Sequence, residues 1–130
     1  MIRWALRRIP RPWLIRLSAL VRLVGPILYA GTRFTDPIDG RSYRKFLPYG
    51  YGGRIRENAL SPGTNSLERH RLLYLYLQRY TDFFTAPLSV LHIAPEQCFH
   101  QRFKAQGNLT VLTADIESPL ADMHFDLHHI

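Results

Sequence analysis

Apolar and polar positions change their period several times along the chain. In "WLIRLSALVRLVG", Trp13, Leu17, Leu20, Val21 and Val24 recur at helical spacing, with Arg16 and Arg22 facing away. Pro10 and Pro12 delimit a short segment before this helix, and Pro26 is expected to end it. From Phe34 to Thr64 no helical period survives. Glycine, proline and tyrosine punctuate short extended runs, which read as strands and turns. Asn65 then precedes "SLERHRLLYLYLQRY", with Glu68 three residues on as an approximate capping box, and Glu68 one turn from Arg71. Leu72, Leu73, Leu75, Tyr76 and Leu77 make the second half of this helix apolar nearly all round, so it should be buried.

The period changes again after Thr85-Ala86-Pro87. Leu88–Ile93 reads as a strand, a helix runs from about Glu96 to Lys104, Gly107-Asn108 make a turn, and "LTVLTAD" is a second strand. Strand, ten-residue helix and strand form a βαβ unit and imply a parallel sheet. The fold class is therefore α/β. Three regions follow: a basic amphipathic helical arm over 1–33, a β segment over 34–64, and the start of an α/β domain over 65–130.

Charge sharpens that division. The net charge is +7 over 130 residues, yet it resides in the arm. Arg3, Arg7, Arg8, Arg11, Arg16, Arg22 and Arg33 all fall before Asp36, with no acid among them, and the remainder is balanced. Two readings of the arm stay open: a helix docked on its own domain, or one lying on a membrane surface or acidic partner. It lacks the interleaved stacking residues of a single-strand reader, so no specific nucleic acid is expected. Arg16 and Arg22 interrupt a stretch too short to span a hydrocarbon core of ~30 Å and break up any signal-peptide core. Cys98 is the only cysteine, so no internal disulfide forms. The expectation is a cytoplasmic protein, in the second reading one that touches a membrane.

The β segment carries a spacing of its own. Asp36-Pro37-Ile38-Asp39-Gly40 and Ser61-Pro62-Gly63-Thr64 echo each other. Cysteines at 36, 39, 61 and 64 would give the C-x2-C pair of a zinc ribbon. The residues present are two Asp, one Ser and one Thr, poor ligands for Zn²⁺. The segment is therefore expected to be a ribbon held by turns without zinc. Arg41, Arg44, Lys45, Arg54 and Arg56 on it read as a solvated face.

Candidate chemistry lies at the ends of the two later strands. In open α/β sheets, ligands bind outside the carboxyl ends of the strands. Ala94-Pro95-Glu96 ends the first strand and Asp115 the second, where an acid can accept both hydroxyls of a ribose. The glycines of a cofactor loop are missing, so an ordinary βα connection would look similar. His70 reads as structural, Cys98 as a buried small apolar residue, and His124, His128 and His129 lack the carboxylates a metal site would need.

Three stretches carry a resemblance beyond pattern: "RKFLPYGYGGRIRENALSPGTNSLERHRLLYLYL", "VLHIAPEQCF" and "TADIESPLADMHFDLHHI". Together they resemble a family of bacterial class I S-adenosylmethionine-dependent methyltransferases. Many members carry an N-terminal zinc ribbon, a "SLERHRLL" helix and a "VLHIAPE" first strand. The resemblance covers roughly Tyr29 to Ile130. It implies S-adenosyl-L-methionine as cofactor and the N-terminal half of a Rossmann-like fold. Ala94, Pro95 and Glu96 would lie along the methionine part, and Asp115 would bind the ribose hydroxyls. Ile116 would pack on adenine, with Asp126 near its amino group. Such a fold needs further strands beyond Ile130, so the chain is expected to be a truncated portion, inactive in methyl transfer alone. The methyl acceptor is not legible. The rival expectation is a non-catalytic module that binds a membrane surface or acidic partner through the arm and ribbon.

Overall fold

The computed structural model describes residues 11–129, and their contacts divide the chain into two compact units, Met1–Arg71 and Leu72–Ile130. The short segment expected before Pro10 lies outside the described residues.

The first unit opens with helix α1 (Arg11–Leu28). The helix runs through Pro26 rather than ending there. Proline lacks an N–H but keeps a helical φ, so near the last turn it removes one bond without stopping the helix. The Tyr29 N–H donates to the Gly25 carbonyl at 2.9 Å, and the Tyr29 carbonyl accepts from Arg44 N–H at 2.8 Å, which ties the helix end to the strands. Strand β1 (Ala30–Thr35) pairs antiparallel with β2 (Ser42–Tyr43), and β3 (Leu47–Tyr51) with β4 (Arg54–Leu60). Gly52 and Gly53 close the second hairpin at φ of 60° and 84°, a region that only glycine enters without strain. Ile38, Tyr43, Phe46, Ala59 and Leu67 are buried and form the core.

Helix α2 (Glu68–Tyr80) begins in this unit. Its start differs from a capping box. Asn65 sits in a turn at φ 57°, and the Leu67 N–H donates to His70 Nδ1 at 3.0 Å, so an imidazole caps the first turn. Glu68 lies 3.4 Å from Arg56, while the Arg71 guanidinium donates to the carbonyls of Ser66 (2.6 Å) and Ala59 (3.0 Å) and sits over the Phe46 ring. Two backbone acceptors and an aromatic face suit the planar fork of its guanidinium.

In the second unit, β5 (Leu88–Ile93), α3 (Gln97–Lys104) and β6 (Leu109–Asp115) follow in order, and β7 (Met123–His124) completes a three-stranded parallel sheet ordered β5-β6-β7. Both longer strands match the expected limits, because their alternation is a local property of the sequence. One face of the sheet carries His92 and its register partner Thr113. The His92 ring lies 5.8 Å from Phe103, which stacks on Phe99 at 4.8 Å with Phe83 and Phe84 beside it. The other face carries Leu91, paired with Leu112, and Ile93, all three exposed. Parallel sheets normally bury both faces, and among the described residues Ala114 alone is buried on this second face.

The later part of α2 departs from its sequence in the same way. Tyr74 packs on Phe84, but Leu72, Leu73, Tyr76 and Tyr80 are exposed, Leu72 at 70%. Helical apolarity sets what a helix can bury. What it does bury depends on a second layer, and none covers that side among the described residues.

Candidate functional site

The sheet's carboxyl edge is shaped by two turns. Immediately after β5, Ala94 takes φ 51°, the left-handed region in which a Cβ is strained. Its N–H donates to the Ala114 carbonyl at 2.8 Å, extending the ladder by one bond while the chain turns away. This is the position at which a glycine-rich loop would place glycine, and here alanine bears the strain. Pro95 is buried behind it, and Glu96 precedes α3 in extended conformation.

After β6, Asp115 bends the chain with its own side chain. Its Oδ1 accepts the N–H groups of Glu117 at 2.9 Å and Ser118 at 3.0 Å. These two backbone donors, Glu117 first, hold the Asp115 carboxyl below the usual carboxylate range, so it is ionised at neutral pH. Asp126 repeats the device, with Oδ1 accepting the His128 N–H at 2.9 Å as the 3₁₀ turn Leu127–His129 begins.

Between these turns lies a cavity of about 290 Å³ whose wall includes Ala94, Asp115, Ile116 and Asp126. Four of the six candidate cofactor residues therefore meet at one place. Pro95 and Glu96 do not line it. The Glu96 carboxylate instead meets His92 Nε2 at 2.8 Å. The cavity also draws on Ile93, Phe125 and His128. Ile93 and Phe125 were not legible as site residues, since apolar residues in or beside a strand look like core, and His128 was weighed only for metal binding.

The ribbon forms the second candidate centre. Its two turns repeat each other bond for bond. Asp36 N–H donates to the Arg41 carbonyl and Ser61 N–H to the Ser66 carbonyl, both at 2.9 Å. Gly40 N–H returns to Asp36 and Asn65 N–H to Ser61, at 2.9 and 3.0 Å, and Gly40 and Asn65 both have positive φ. Side chains then join the turns. Asp36 Oδ2 accepts the Thr64 hydroxyl at 2.6 Å and the Ser66 hydroxyl at 3.2 Å, while Oδ1 accepts the Ile38 N–H. Asp39 Oδ2 accepts the Tyr43 hydroxyl at 2.8 Å. Burial first, and then this bond to a carboxylate, push the Tyr43 phenol well above its usual range.

Asp36, Ser61, Thr64 and Ser66 are all buried. Hydrogen bonds thus run among the positions at which the spacing would place cysteines. Ser66 and Tyr43 belong to the cluster although the spacing did not point to them. Among the described residues, no three His, Cys, Asp or Glu side chains are placed to hold a metal ion.

Cys98 is buried on α3 and in no disulfide. His124 Nδ1 lies 3.3 Å from the Asp115 carbonyl, and His129 Nδ1 3.4 Å from Asp126. No helix among the described residues is long and apolar enough to cross a membrane. Comparison with family models, with curated proteins and with solved structures returns no match for this chain.

Proposed function

We propose that the second unit is the cofactor-binding portion of a class I S-adenosylmethionine-dependent methyltransferase, with a Rossmann-like sheet begun by β5, β6 and β7. The reading rests on the resemblance in "VLHIAPE" and "TADIES". The observation that carries it is the cavity at the carboxyl ends of β5 and β6, walled by Ala94, Asp115, Ile116 and Asp126. Asp115 commits Oδ1 to its own turn, so Oδ2 would accept the ribose hydroxyls. Exposed Ile116 would lie against adenine, and Asp126 near its amino group. The positive φ of Ala94 lets backbone rather than a side chain border the methionine end. Glu96 takes a positioning part in this scheme, since its carboxylate is held by His92.

No acid–base pair is needed at this centre. The bound cofactor supplies an electrophilic methyl on a sulfonium, and the chain's own residues bind and orient it. The methyl acceptor is not assigned.

Calorimetric titration with S-adenosylhomocysteine tests the reading. Wild-type chain is expected to bind, and Asp115→Ala to bind ten- to a hundred-fold more weakly, as for loss of a charge-assisted pair. Asp115→Asn retains an acceptor and should lose less. Glu117→Ala should bind as wild type, because only the Glu117 backbone meets the site. No heat with the wild-type chain, or a loss in Glu117→Ala without one in Asp115→Ala, overturns the reading.

A further inference from the structure

The described part of α1 leaves an apolar stripe uncovered. Trp13 (63% exposed), Leu17, Leu20 (56%), Val24 and Ile27 recur at steps of four and three residues, and every one is exposed. The helix is nevertheless not adrift. Gly25 is buried, and a Cβ there would come within 2.6 Å of the Pro62 carbonyl oxygen, so α1 meets the ribbon turn at backbone contact. Gly25 lies about 100° round the helix from Val24. Docking through Gly25 and the Tyr29 bonds therefore spends one side of α1 on the ribbon and points the stripe elsewhere.

Charge selects the occupant. The stretch through Thr35 contains seven arginines and no acid. Packing two copies stripe to stripe would bring two such stretches together with no acid in either. An anionic lipid surface satisfies both features. Leucines and Ile27 enter the acyl boundary, Trp13 sits at the headgroup level, and Arg16, exposed and about 60° round the helix from Trp13 rather than facing away, reaches lipid phosphates.

We infer that α1 is a membrane-surface helix that docks the ribbon on anionic lipid through Trp13, Leu17, Leu20, Val24 and Ile27. The inference is independent of the cofactor reading, because it concerns the other unit.

The test is sedimentation of the full chain with phosphatidylglycerol–phosphatidylcholine vesicles and with phosphatidylcholine alone. Binding is expected to the anionic vesicles, to weaken steeply as salt is raised, and to be at least ten-fold weaker for neutral ones. Arg16→Gln should weaken it about five-fold. Leu17→Asp combined with Leu20→Asp should abolish it, with the circular dichroism and urea midpoint of the protein unchanged, since both leucines are exposed. Equal binding to neutral vesicles, or binding that survives the double substitution, overturns the inference. So does absence of binding, whether the stripe then proves to mediate self-association that the double substitution removes or capture of an acidic protein.

Discussion

Asp36 and Asp115 make the same local turn and end in opposite situations. Each follows or ends a strand, and each accepts the N–H two residues on through Oδ1, Ile38 in one case and Glu117 in the other. Asp36 is fully buried, and its second oxygen takes two hydroxyls from the partner turn, 28 and 30 residues away. Asp115 stands at the rim of a cavity and makes no such link across its unit. An aspartate turn therefore carries no function in itself. The unit around it decides whether the remaining oxygen closes a structure or is left at the wall of a cavity.

The largest expected effect breaks the closed side of that comparison. Asp36→Ala leaves the Thr64 and Ser66 hydroxyls and the Ile38 N–H without their shared acceptor in a buried site. It should cost about 3–5 kcal/mol and unfold the ribbon, as read by urea titration with near-ultraviolet circular dichroism. Asp115→Ala, measured the same way, should shift the midpoint far less, because water reaches its donors. If the two substitutions destabilise equally, the contrast between closed and open turns fails.

A smaller loss probes how tightly the ribbon closes. A Cβ at Gly63 would lie 2.0 Å from the Tyr43 hydroxyl and 2.5 Å from Asp39 Oδ2. Gly63→Ala should push these groups apart and cost about 1–3 kcal/mol, visible as a lowered urea midpoint. Gly107, whose Cβ would meet nothing, is the control, and Gly107→Ala should leave the midpoint near wild type.

The smallest effect separates the units by pH. In the second unit, burial first and then the Lys104 ammonium lower the His100 pKa, with Asp122 opposing and His92 reinforcing the shift. A base whose folded pKa is depressed is protonated first in the unfolded chain. Stability is therefore lost as pH falls below about 6.5. Asp122 adds an acid limb. Its carboxyl is held well below the usual range by the Lys104 ammonium and then by the Thr113 hydroxyl and N–H. That contribution is present above about pH 4 and is lost as pH falls further. Thermal melts across this range should show His100→Gln flattening the upper part of the decline and Asp122→Asn the lower part. A decline unchanged in both variants would assign the acid sensitivity elsewhere.

What the sequence disclosed was whatever depends on neighbours along the chain. Strand alternation in Leu88–Ile93 and Leu109–Asp115 and the echo of the two ribbon turns were legible, because a period or a spacing is written locally. The exposure of Leu72 and Tyr76 was not, since burial requires a second layer that no helical pattern specifies. The strain at Ala94 was silent for another reason. Glycine announces a positive φ, and alanine holding one does not. For the candidate site, Asp115 was visible as an acid at a strand end, and Asp126 only through the family resemblance. Phe125 entered only once the turns had closed around the cavity, and His128, weighed at first for metal alone, joined its wall there.

The bond-for-bond match of the two ribbon turns has a consequence for how the unit comes into being. A ribbon stapled by zinc assembles when the ion arrives, and falls apart under a chelator or when its thiolates are oxidised. In this chain the staple between the turns, Asp36 with Thr64 and Ser66, is encoded in the polypeptide and is complete on synthesis. Water competes for those bonds. The protection of the ribbon therefore rests on Ile38, Tyr43 and Phe46 keeping that competitor out.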